Sequence, residues 1–203
     1  MLIEIEGKRF LTDPGSYSKG FEDLTDLAAI LITHEHADHL HTEALATLHA
    51  NNPRAMIITN TGVGKILETH GIEHTVVEGN SVIEVAGVRI EAYDGTHAEI
   101  FEEVGQVQNT GYFIGESLFY PGDAYTDPKR LVPVLALPVS GPWCRSADAI
   151  RYAVALKPER AFPVHDAVLN EKGIELVHGL FERVLASKGV TFMRLKDGET
   201  IEC

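Results

Sequence analysis

Apolar and polar positions alternate at the start of the chain. Leu2–Ile5 and Arg9–Thr12 each follow a period of two and are split by Gly7-Lys8, which predicts a β-hairpin. Asp13-Pro14-Gly15-Ser16 is a turn signal. Leu27–Thr33 is a continuous apolar run of strand length, the pattern of a strand covered on both faces. The period then lengthens. Leu40, Ala44, Leu45 and Leu48 lie near helical spacing, so His39–Ala50 is expected as a helix with Asp38 as its N-cap. Ala55–Thr59 reads as a second buried strand. Val63, Ile66, Leu67 and His70 predict a short helix ending at Gly71.

The second half repeats this grammar. Val76-Val77, Val82–Val85 and Val88–Tyr93 read as β, with a turn at Ala86-Gly87. Gly111–Ile114 and Ser117–Tyr120 predict a hairpin about Gly115-Glu116. Val132–Leu137 is a buried strand, and Ser146–Leu156 a helix capped by Ser146 that stops before Pro158. Ala161–Val164 is a short strand. Glu171–Lys188 holds a long amphipathic helix with Ile174, Leu176, Val177, Leu180, Phe181, Val184 and Leu185 on its apolar side. Strands at Thr191–Leu195 and Glu199–Ile201 about Asp197-Gly198 complete the pattern. Hairpins with two helices in each half suggest two sheets packed face to face with helices outside, in a single domain over residues 1–203.

Chemically capable residues fall where strands give way to loops. Thr33-His34-Glu35-His36-Ala37-Asp38-His39 places three imidazoles and two carboxylates directly after a buried strand. A helix cap needs one Asp or Ser, not three histidines. Imidazole and carboxylate are good donors to Zn²⁺, Mn²⁺ and Fe²⁺. In an extended segment His34 and His36 point the same way and can share one ion, while a turn redirects Asp38 and His39 toward a second. His97, Asp123 and His165 each follow a predicted strand and are further ligand candidates.

Composition narrows the partners. At 44% hydrophobic and 23% charged the chain is of ordinary globular make-up. Its net charge of −13 disfavours nucleic acid. No apolar stretch approaches the length of a membrane span, and the N-terminus reads as a strand rather than a signal peptide, so a cytoplasmic location is expected. The two cysteines, Cys144 and Cys203, give no disulfide framework and no zinc ribbon.

The His-x-His-x-Asp-His run at His34–His39, followed in order by His97, Gly122-Asp123 and His165, resembles the metallo-β-lactamase superfamily. Asp13, after Phe10-Leu11-Thr12, resembles that superfamily's early strand-end Asp. Ala136-Leu137-Pro138-Val139-Ser140-Gly141 and Phe162-Pro163-Val164-His165 resemble its ascorbate-6-phosphate lactonase-like branch. The resemblance implies an α/β fold, a four-layer αββα sandwich with two divalent ions at one edge. Zinc is the first expectation, with Mn²⁺ or Fe²⁺ as alternatives. It implies His34, His36 and His97 on one ion, Asp38, His39 and His165 on the other, and Asp123 bridging. The implied activity is metal-dependent hydrolysis of a lactone or ester in a small molecule by a metal-activated water, with Asp38 and Asp123 as the catalytic carboxylates. A phosphodiesterase, or a non-hydrolytic metal or redox protein, is the alternative.

Other residues take lesser roles. Asp13 is expected to support the metal loop from behind, and Asp166 to point away from the site. Glu35 faces solvent or a neighbouring ligand. His41, His49, His70, His74 and His178 read as structural, His41 being nearest the pocket. Trp143 either packs over the site or meets substrate, and Arg145 and Tyr125 are candidates to orient an anionic group.

Overall fold

The computed structural model describes residues 1–202; Cys203 lies outside the described residues. The chain runs β1 (Leu2–Ile5), β2 (Lys8–Thr12), β3 (Leu27–Leu31), α1 (Thr42–Asn51), β4 (Met56–Thr59), α2 (Thr61–Thr69) and β5 (Thr75–Val76). It continues β6 (Val82–Val85), β7 (Val88–Thr96), β8 (Gln108–Ile114), β9 (Leu118–Tyr120), β10 (Val134–Pro138), α3 (Ser146–Leu156), β11 (Arg160–Val164), α4 (Glu171–Ala186) and β12 (Thr191–Phe192).

Two sheets result, in the orders β1-β2-β3-β4-β5 and β12-β11-β10-β9-β8-β7-β6. Beyond the β1–β2 hairpin the first sheet is parallel. The second is antiparallel from β6 to β9 and parallel from β9 to β12. Side-chain alternation sorts each strand between two layers. Ala29, Leu31 and Ile58 of the first sheet face Ile90, Tyr112, Val134 and Phe162 of the second across the central core. Ile30, Ile32 and Ile57 turn outward onto Leu45 and Leu48 of α1 and Val63 and Leu67 of α2. Phe113, Leu135 and Leu137 turn outward onto Ala149 and Ala153 of α3 and Phe181 and Leu185 of α4. The architecture is the expected αββα sandwich, and the unbroken apolar runs are those of strands with a core on each face.

Several boundaries differ from expectation. Asp38 does not cap α1: the helix begins at Thr42, and His41 is the cap, its Nδ1 accepting from the Ala44 amide at 3.1 Å. The chain spends the intervening residues on a tight turn in which the amides of His39 and Leu40 both donate to the His36 carbonyl. Ser146 is the first residue of α3 rather than its cap, and no side chain caps that helix. Leu176 of α4 is exposed rather than on the buried face. β12 is only two residues long because it pairs at the sheet edge with Arg160 and Ala161 alone. Residues Glu199–Ile201 form no strand, although the Lys196–Glu199 turn is present. Among the described residues no helix is long and apolar enough to cross a membrane.

Candidate metal centre

The ligand candidates gather at one edge of the sandwich. The turn after β3 supplies His34, His36, Asp38 and His39. The ends of β7, β9 and β11 supply His97, Asp123 and His165. The candidate ligand atoms of His34, His36 and His97 lie within 4.8 Å of one another, as do those of Asp38, His39, Asp123 and His165. Asp123 sits between the groups. Its Oδ2 is 3.4 Å from His97 Nε2, 3.9 Å from His34 Nε2 and 3.0 Å from His165 Nε2. Its Oδ1 is 3.3 Å from His39 Nε2. Asp38 Oδ2 lies 3.2 Å from His165 Nε2.

Neighbouring groups fix the imidazoles. His39 Nδ1 is 2.7 Å from the Asp13 carboxylate and His97 Nδ1 is 2.6 Å from the Ala98 carbonyl, so both carry their proton on Nδ1. Thr33 Oγ1 donates to Asp13 at 2.7 Å, which leaves that oxygen to accept from His34 Nδ1 at 3.0 Å. In all three rings the proton is tied off behind and Nε2 faces the centre, buried and without a hydrogen-bond partner. Three buried acceptor nitrogens converging on a carboxylate are costly unless a cation sits among them. The donor set of imidazole nitrogen and carboxylate oxygen suits a divalent first-row metal.

Asp13 is the centre of the support. It receives the Thr33 amide at 2.8 Å and the Tyr120 hydroxyl at 2.7 Å, besides holding His39. The backbone approaches closely here. A Cβ on Gly15 would fall 1.8 Å from the carbonyl oxygen of Asp38, so only glycine lets the Asp13–Ser16 turn lie against the ligand loop. Asn109 receives the Asp123 amide at 2.9 Å and donates to the Pro121 carbonyl at 2.8 Å, which sets the turn that presents Asp123. His165 holds φ of 63°, a left-handed conformation that costs a residue other than glycine about 1–2 kcal/mol.

These groups polarise one another. Burial disfavours a charged His39, but Asp13 and then Asp123 raise its pKa to about 10, so a proton on Nε2 and a metal ion compete for the same place. Burial likewise opposes charge on His165, which closeness to Asp123 and Asp38 raises to about 9. His34, buried and beside His39, is pushed down to about 3. Despite its own burial, Asp123 is held well below the usual carboxylate range, chiefly by His39. The pocket is built to stabilise positive charge around that carboxylate.

All seven expected residues therefore meet. Asp166 does not compete: it pairs with His178 Nε2 at 3.0 Å, away from the centre. Tyr125 donates to Cys144 Sγ at 3.5 Å, and Arg145 is exposed at the start of α3. Sequence reasoning missed Tyr120, Asn109 and Thr33, and left Trp143 undecided. The spacing of a Tyr or Asn within an apolar strand carries no mark of the partner it meets across the fold.

Fold and site together define a metallo-hydrolase architecture, and the comparisons agree. The family described as β-lactamase superfamily domain matches residues 1–165. Protein Rv0786c of Mycobacterium tuberculosis is 37% identical over 88% of this chain and 85% of its own length. The UPF0173 metal-dependent hydrolase MJ1163 of Methanocaldococcus jannaschii is 25% identical over 89% of this chain and 85% of its own. Igni18, a metallo hydrolase from Ignicoccus hospitalis, shares the fold with a TM-score of 0.74 at 20% identity, covering 98% of this chain and 92% of that one. The chain belongs to the metallo-β-lactamase superfamily, and within it stands with the metal-dependent hydrolases.

Proposed function

We propose that this hydrolase cleaves a lactone or ester-type bond in a small molecule, using water activated between two divalent ions, with zinc as the first choice. The observation that carries the dinuclear reading is the pair of donor groups flanking Asp123. His34, His36 and His97 would hold one ion, and Asp38, His39 and His165 the other, with Asp123 shared. Bound there, such a pair lowers the pKa of water toward neutrality and takes up charge developing on the substrate oxygen.

The protein's own groups do the positioning. Asp13 and the Ala98 carbonyl hold the rings of His39 and His97 in the tautomer that leaves Nε2 free. Asp38 is half-buried at the open side of the cluster, where its carboxylate can accept a hydrogen bond from an attacking water and orient it. The thiol of Cys144 is no rival nucleophile. Burial raises its pKa, and it points at the Pro138 carbonyl, 3.7 Å away. The lactone or ester preference rests on the likeness of the Ala136–Gly141 and Phe162–His165 stretches to the lactonase-like branch.

The test is metal analysis combined with a panel of lactones, esters and phosphodiesters. We expect about two zinc equivalents per chain and turnover of lactones or esters. His36→Ala and Asp123→Ala should each lose more than about 100-fold. Hydrolysis and metal content retained in both variants would remove the reading, and turnover confined to phosphodiesters would change the substrate class.

A further inference from the structure

Trp143 lies in the loop between β10 and α3, contributes nothing to the donor set above, and yet touches it on three sides. Its Nε1 donates to Asp123 Oδ2 at 2.8 Å. Its ring meets those of His97 and His165 edge-on, with centroids 5.7 and 5.9 Å apart. The side chain is only 8% exposed, so the bond is shielded from water. Tyr125 also packs edge-on against it, with ring centroids 5.6 Å apart. Gly141 lies beneath: a Cβ there would come within 3.0 Å of Trp143 Nε1 and 3.2 Å of His165 Cε1, so the bare backbone lets indole and imidazole approach.

We propose that Trp143 is a positioning residue for the shared carboxylate: its indole N–H fixes the rotamer in which Asp123 presents Oδ2 to His97, His34 and His165, and Oδ1 to His39. This rests on the dinuclear reading above. Asp123 projects from a loop turn, and its backbone is held by Asn109. Its carboxylate needs a separate restraint. Among the described residues, every other side-chain partner in ion-pair range of that carboxylate is an imidazole turned toward the cluster. Indole N–H is a donor only, does not ionise in the working pH range and is no metal ligand. It can therefore orient the carboxylate without competing for the cation. The three residues it touches are those that reach the site from the second sheet, so one side chain sets the geometry of that half.

The experiment uses Co²⁺ alone as probe, followed by its visible absorption and by chelator competition, in wild type, Trp143→Phe and Trp143→Ala. Phenylalanine keeps most of the packing and removes the N–H. We expect Trp143→Phe to bind Co²⁺ about 10–100-fold more weakly than wild type, close to Trp143→Ala, with an unchanged far-UV circular dichroism spectrum. If Trp143→Phe binds like wild type and only Trp143→Ala is impaired, the role is packing and the proposal fails while the dinuclear reading stands. If wild type binds no Co²⁺, both fall. Trp143 is the only tryptophan, which gives a second measurement that needs no variant. Its single indole N–H resonance should be slow to exchange and strongly shifted by paramagnetic Co²⁺. A fast-exchanging resonance indifferent to Co²⁺ would overturn the assignment.

Discussion

The two halves of the sandwich furnish the site in different ways. The first sheet delivers four candidate ligands within six residues, on one turn after β3. The second delivers three, each alone at the end of a different strand and separated by 26 residues or more in the chain. The first set is held by local chain geometry, with the amides of His39 and Leu40 folded back on the His36 carbonyl and Gly15 pressed beneath Asp38. The second exists only once β7, β9 and β11 are in place. The contrast teaches that a compact motif announces the chemistry, whereas tertiary packing completes it.

The sharpest way to probe the contrast is to remove the candidate ligands one at a time. On the dinuclear reading, Asp123→Ala should deplete both ions and abolish activity, a loss beyond about 100-fold. His36→Ala and His165→Ala should each cost about one equivalent, from opposite sides of Asp123. Metal counting by mass spectrometry under native conditions reads this directly. Equal loss of both ions in all three variants would mean that the two groups act as one site. Next in size is the backbone contact under the local half. Gly15→Ala should lower stability by about 1–3 kcal/mol in denaturant melts, because the neighbouring peptide must move. An unchanged midpoint would show that the ligand loop is more yielding than its contacts indicate.

The smallest effect concerns the seam between the halves. Glu78 accepts from the Thr61 amide at 2.8 Å at the start of α2 and from Gln108 of β8 at 2.7 Å, so it ties one half to the other. The Thr61 amide is the main cause of its lowered pKa. A carboxylate with a depressed folded pKa contributes stability above its unfolded value, and that contribution is lost as pH falls through the folded value. Glu78→Gln should therefore be less stable than wild type by about 0.5 kcal/mol near neutral pH. The gap should close in acid below the ordinary glutamate range. A gap that persists there would assign the effect to shape rather than charge.

The αββα layering was legible because runs such as Leu27–Thr33 are apolar on both faces, and the seven candidate ligands were legible because the first four stand together. Positions decided by long-range partners were not. Asp38 reads as a cap from its neighbours, but the turn tightens on His36, and the helix begins only where His41 Nδ1 can reach the Ala44 amide. β12 looks longer in sequence than it is, because only one neighbouring strand is there to pair with it. Trp143 offered no spacing to interpret: its partner lies 20 residues away and across the loop.

The cluster has a braced floor and lightly held walls. Asp13, Thr33 and Asn109 are buried and bonded beneath the candidate ligands. The loops that follow His97 and His165 bear Phe101, Val104 and Val168, each more than half exposed. Substitutions at those three tips would sacrifice little packing and leave the floor undisturbed. A scaffold divided in this way can retune which molecules it admits without renegotiating its foundations.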